Sequence, residues 1–190
     1  MDKIIMAWSE CGIEIGKTPE DESMAKTLKS VGTIKDKSST LEPSDGDTLE
    51  AKKTGGKTVA KETQEGGFLL STRVIEPTNE LLTELGLGAA SEEDDFNVKT
   101  HLVADPFSVK VTPKNKGAIG IKAPKTNVTY KPGWSEEEGN YADIEFEIVQ
   151  GATDVWYTRF KSKGLKDGVA VVAADTQGQA VATVAKTAAK

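Results

Sequence analysis

The chain holds one cysteine, Cys11, and one histidine, His101, in 190 residues. A lone cysteine cannot close an internal disulfide, which excludes a small stapled scaffold and fits a reducing compartment. A lone histidine removes the imidazole clusters on which zinc sites are usually built. Any nucleophilic dyad would then depend on Cys11 and His101, which are distant in sequence and match no family signature. Long apolar runs are also missing, since no window approaches the ~20 residues that a spanning helix needs. The opening MDKIIMAWSECG is interrupted too soon by Ser9 and Glu10 to read as a signal peptide, so export by that route is not expected. Aromatics are only 6% of the chain, and Trp8, Trp134 and Trp156 are too dispersed for a sugar-stacking platform. Each reads as core or interface. Positive charge is in deficit: 24 Lys and Arg face 30 Asp and Glu, a net charge of −6. That balance disfavours binding to a phosphate backbone and suits a soluble protein, or a surface to which DNA does not adhere.

What is present is β patterning in a chain long enough for one domain, or one domain with a tail. The organising stretch is 58–87. Residues 58–64 (TVAKETQ) alternate, Glu65, Gly66 and Gly67 can turn, and 68–75 (FLLSTRVI) is apolar enough for a core strand, so the expectation is a β-hairpin. Pro77 ends the second strand. A short helix follows over about 78–85, with Thr78 as its cap, Glu80 in its first turn, and Leu81, Leu82 and Leu85 on one face. Gly86 stands where a left-handed C′ residue is wanted, and Leu87 where a Schellman cap folds an apolar side chain back.

Upstream, 3–8 and 12–16 read as a strand pair or one bent strand, with Ile13 and Ile15 facing one way and Glu14 the other. Residues 23–32 suggest a short helical turn carrying Met24, Leu28 and Val31. From 35 to 57 the chain is polar, turns near Pro43, and has too few apolar residues to pack a core of its own; it reads as an arm that is mobile or ordered by another subunit. Downstream come short strands at Val98–Thr100–Leu102, Phe107–Val109–Val111, Ile119–Ile121 and Val128–Tyr130. The clearest strand is 143–150, with Ile144, Phe146 and Ile148 inward and Glu145 and Glu147 outward; 155–162 follows it. The fold class expected is mainly β, an antiparallel β-sandwich or barrel with one short helix and a long polar arm. Residues 1–165 form that domain, and 166–190 read as a terminal hairpin or extension.

Residues 51–58 (AKKTGGKT) satisfy a loose phosphate-loop pattern. The chemistry requires a buried strand before the loop and a helix after it, and the flanking sequence supplies neither, so a hairpin turn is expected there. The acidic runs 92–95 and 136–138 lack the alternation of a calcium loop and read as solvated loops. No convergent set of titratable groups emerges, so no enzyme, metal or cofactor is expected.

The order of these parts resembles the tail tube proteins of long-tailed bacteriophages. The resemblance is carried by the N-terminal strand pair, the polar arm around 33–50, the Gly-Gly and Lys step at Gly55 to Lys57, the strand running into Pro77 and the small helix, and later strands including DIEFEIVQG. It spans roughly residues 1–163 and is one of layout. It implies a β-barrel or sandwich flanked by a helix, whose subunits form a ring, usually hexameric, by joining sheets into an inner barrel; rings then stack into a tube. The implied partners are further copies of the chain, other tail proteins, and DNA only as cargo that does not stick, with no membrane; the implied location is a virion tail, after assembly in the bacterial cytoplasm. On this reading Leu41, Leu49, Lys52, Gly55 and Gly56 are interface candidates, and Glu62, Glu145 and Glu147 are candidate lumen carboxylates. The alternative expectation is a non-enzymatic β-sandwich module for decoration or adhesion on a phage particle or cell surface.

Overall fold

Alternating side chains and punctuating turns cut the chain into many short strands, as a computed structural model shows for residues 10–165 other than 45, 47, 64, 65 and 92–94. The expected strand at 3–8 and the terminal segment 166–190 lie outside the described residues. The strands are β1 (Cys11–Lys17), β2 (Lys29–Ser30), β3 (Thr33–Ile34), β4 (Thr40–Pro43), β5 (Thr48–Lys52), β6 (Thr58–Thr63) and β7 (Phe68–Ile75). After the helix α1 (Asn79–Glu84) come β8 (Gly88–Ala90), β9 (Phe96–Val98), β10 (Phe107–Pro113), β11 (Ile119–Ser135), β12 (Gly139–Ile148) and β13 (Thr158–Lys161). The protein is mainly β, with 52% of the described residues in strands and 4% in the helix, and its main element is one antiparallel sheet curled into a half-barrel.

That sheet has nine strands in the order β2-β1-β10-β11-β12-β7-β3, with β4 also paired to β7 and β13 also paired to β11. Its concave face is apolar because strand residues point alternately to opposite faces. Ile13 and Ile15, Leu70 and Val74, Phe107 and Val109, and Ile144, Phe146 and Ile148 join one buried cluster. Only Val31 and Gly32 separate β2 from β3. Val31 N–H donates to Ile13 O at 3.0 Å and Lys35 N–H to Arg73 O at 2.9 Å, so this strip ties the two ends of the curl together.

The helix adds Leu81, Leu82, Leu85 and Leu87 to the same cluster. Both its ends match the sequence reading. Thr78 accepts from Leu81 N–H at its N-cap. At the other end Leu87 N–H bonds Leu82 O and Gly86 N–H bonds Thr83 O, both at 3.0 Å, with Gly86 at φ 73°. This is the Schellman pattern, and it satisfies carbonyls that a helix end leaves without partners.

Four local expectations are corrected. Strand β6 does not pair with β7: it pairs with β5, while β7 lies between β12 and the pair β3 and β4. Leu70, Thr72 and Val74 require a central place for β7, whereas the described side chains of β6 are all exposed and have no face to bury. Residues 23–32 form no helix, because Lys29 and Ser30 pair with Ile15 and Glu14; a turn and a half of isolated helix is too short to compete with such pairing. The strands expected at 119–121 and 128–130 are one strand. Pro124 does not break it, since it sits where the β10–β11 register shifts and a missing donor costs no ladder bond. Its carbonyl accepts from Ser108 Oγ at 2.7 Å. Lastly, the strand expected at 98–102 divides: Val98 ends β9, which pairs with β8, and Leu102 makes only an isolated bridge to Thr129.

Candidate assembly surface

Strands β5 and β6 form a two-stranded sheet of their own, in which Leu49 faces Glu62 and Ala51 faces Ala60. At its end Lys53 N–H donates to Lys57 O and Gly56 N–H to Lys53 O, both at 2.9 Å, closing the turn. Gly55 and Gly56 adopt φ 101° and 83°, a region open to glycine without steric cost. The phosphate-loop pattern is therefore a hairpin turn, as its flanks predicted. Every residue from 50 to 61 is exposed, Val59 at 57% among them. A hairpin wet on both faces over 50–61 has little hydrophobic stabilisation there, and two strands alone are marginal in water. Lys52 and Lys61 pair with Glu50 at 3.3 and 3.9 Å, contacts too exposed to hold it.

This hairpin carries Leu49 and Lys52 on its first strand, Gly55 and Gly56 in its turn and Glu62 on its second strand. Leu41 lies elsewhere. It belongs to β4, pairs with Leu70 and packs against the core cluster, so the polar segment from Lys35 to Pro43 is held on the main sheet and the projecting arm is shorter than its composition suggested. Glu62 is likewise separate in sheet from Glu145 and Glu147, which lie on the convex face of β12.

That convex face, across β4, β7, β12 and β11, carries the densest charge network described. Arg73 Nε and Nη2 grip Asp143 at 2.7 and 2.9 Å, and Nη1 reaches Glu138 at 2.9 Å. Lys35 also bonds Glu138, and Lys131 bonds Glu145 at 2.6 Å. The Arg73 guanidinium lies 4.4 Å from the centre of the Tyr141 ring, a cation–π contact. Hydrogen bonding to Arg73 holds the Asp143 carboxyl below its ordinary range, and the Lys35 ammonium, helped by Arg73, does the same for Glu138. Both carboxylates thus stay ionised and acceptor-only. Glu42, which faces Leu69, and Glu147 extend the face toward the other end of the sheet.

Among the described residues the four-stranded patch has an open side at each flank. Ser44 N–H bonds Gly67 O, which by alternation along β4 turns the groups of Glu42 inward to β7 and those of Leu41 and Pro43 outward. On the other flank, Glu76 N–H bonds Asn140 O. Counting along β12 from there turns Pro132 and Trp134 of β11 outward, beyond the bridge at Thr129. Trp134 is 71% exposed. A proline nitrogen therefore faces the open side on both flanks, the usual place for proline in a sheet.

The remaining candidates stay apart. Cys11 is half-buried beside Ser39, and burial raises its thiol pKa. His101 is exposed, and no bond joins it to Cys11 among the described residues. Trp156 packs edge-on against Phe68 with ring centres 6.0 Å apart, away from the exposed Trp134, and Trp8 lies outside the described residues. Among the described residues no three His, Cys, Asp or Glu side chains gather as a metal site, and no helix is long and apolar enough to cross a membrane. Compared with known proteins, the chain matches no family model and no curated sequence.

Proposed function

We propose that the protein is a self-assembling structural subunit of a tail-type tube, forming rings that stack around a channel. The observation that carries this reading is the β5–β6 hairpin, a sheet of its own whose residues 50–61 are all exposed among the described residues, which is what a segment that reaches a neighbouring copy requires. Two further features support it. Among the described residues the β4-β7-β12-β11 patch is open at β4 and at β11 beyond the Thr129 bridge, and flanks that differ from each other favour a head-to-tail contact that closes as a ring. Its convex face presents Glu42 and Glu147 without ion-pair partners among the described residues, beside Glu145 paired to Lys131, an acidic bias that suits DNA passing without adhesion. Six copies per ring, and DNA as cargo, follow from the resemblance to tail tube proteins.

The test is mass photometry over a concentration series with negative-stain images of the same samples. Rings, or tubes that lengthen with concentration, are expected. A strict monomer throughout would refute the proposal and favour an accessory β-sandwich module. Amide exchange adds a residue-level check: positions 50–61 should exchange rapidly in the monomer and become protected on assembly. A hairpin already protected in the isolated chain would count against the proposal.

A further inference from the structure

A groove of about 320 Å³ crosses the convex side of β1, β10, β11 and β13. Lys110, Lys122, Lys161 and Lys163 line it. Against them stands one carboxylate, Glu14, already bonded to Lys110 at 2.6 Å. Lys122 lies 4.9 Å from the centre of the Phe160 ring, and none of Lys122, Lys161 and Lys163 has a carboxylate partner among the described residues. Thr112 lines the same groove, and its buried Oγ1 has no hydrogen-bond partner. A chain of net charge −6 thus gathers at one place three cations without a counter-charge among the described residues, which calls for an anionic occupant.

The complementary charge lies at the opposite end of the same strand. From Lys122, β11 runs on to Ser135, and the turn beyond it presents Glu136 and Glu137, both exposed and without ion-pair partners among the described residues, near the exposed Glu76. At a rise of about 3.3 Å per residue the two patches are on the order of 40 Å apart. Continuous pairing of β11 with β12 from Thr126 to Ser135 keeps the strand from doubling back. One chain cannot join its own two patches.

We infer that the lysine groove receives the Glu136–Glu137 turn of a second copy. Because the contact joins opposite ends of the subunit along β11, it propagates head to tail, across the flanks that would close a ring, and supplies the register between stacked rings. This rests on the ring reading above.

The experiment compares four chains: wild type, Lys161→Glu with Lys163→Glu, Glu136→Lys with Glu137→Lys, and the fourfold charge swap. All four positions are exposed, so unchanged circular dichroism and urea midpoints are the folding control. Each double reversal should raise the concentration at which rings stack by at least about tenfold. The swap should restore stacking, and so should mixing the two double variants, whose patches are complementary only to each other. Stacking unaffected by reversal overturns this contact while leaving the ring reading intact. Stacking lost in both double variants and not restored by swap or mixture assigns the groove to another anionic partner and also overturns it. Wild type that stays monomeric at every concentration removes the ring reading, and this contact with it.

Discussion

Removing the arm separates its stability from its use. Replacing residues 50–61 by the dipeptide Asn-Gly closes a turn between Leu49 and Glu62, which already face each other, and leaves β4 and β7 paired as before. The energetic cost follows from burial. All the residues removed are exposed, so little apolar area returns to water, and exposed changes of this kind usually stay within about 0.5 kcal/mol. Shortening the excursion between Pro43 and Phe68 by less than half offsets this by about 0.5 kcal/mol of loop-closure entropy. The net change should lie within ~1 kcal/mol. Urea unfolding followed by tryptophan fluorescence should give a midpoint close to wild type with the same slope, while mass photometry of the same sample should show no tubes at concentrations where wild type forms them. A loss beyond about 2 kcal/mol would mean that the hairpin packs on the body after all. Tubes that form unchanged would mean that the hairpin is not the assembling element.

The core should respond in the opposite way. Phe146→Ala empties a fully buried position at the centre of the sheet and should cost about 3–5 kcal/mol by urea unfolding, with loss of assembly only as a consequence of unfolding. At Gly133 an added Cβ would meet the ring of Tyr141, with Oη at 2.7 Å. Gly133→Ala should therefore push Tyr141 away from Arg73, visible as altered tyrosine ring shifts by NMR. For pH, the Asp143 and Glu138 carboxyls sit below their ordinary range when folded, so their contribution is present above about pH 4 and lost as pH falls through the lowered values. Arg73→Met should flatten that acid limb of the stability profile; an acid limb unchanged from wild type would refute the assignment.

The fold class and the capped helix were legible because both rest on short-range rules. Thr78, Gly86 and Leu87 each act within a turn of the helix they bound, and the alternation of Ile144, Phe146 and Ile148 needs only the pleat. Strand partners were not legible. The segments 58–63 and 68–75 sit one turn apart and look like a hairpin, but their burial differs so much that one joins the centre of the sheet and the other projects into water. The Arg73 network was missed for the same reason. Glu138 and Asp143 are neighbours on β12 and the turn before it, but Arg73 lies 65 and 70 residues away from them, and only the register Arg73 to Asp143 brings it to them. The lysine groove likewise takes residues from β1, β10, β11 and the segment around β13. Part of the signal was available, since Lys161 and Lys163 are closely spaced, yet their isolation from carboxylates is a property of the fold.

The two flanking prolines bear on how such a subunit would avoid uncontrolled association. An open sheet side normally offers a row of donors and acceptors to any extended chain, and long flat edges of that kind aggregate. Here the outward groups of β4 are those of Leu41 and Pro43, and those of β11 beyond Thr129 are centred on Pro132 and Trp134. Each side thus has a gap in its donors beside a single non-proline residue. Any strand added there leaves one of its own carbonyls without a donor opposite each proline nitrogen, a proline-bearing partner included. Each flank is therefore a poor template for chance strand addition, and a true partner must gain from side-chain contacts what the missing donors forfeit. The lateral contact then need not be strong. Stacking through the lysine groove and cover from the projecting hairpin would add contacts that the isolated edges lack, and assembly would be cooperative: weak between two copies and firm once ring and stack form together.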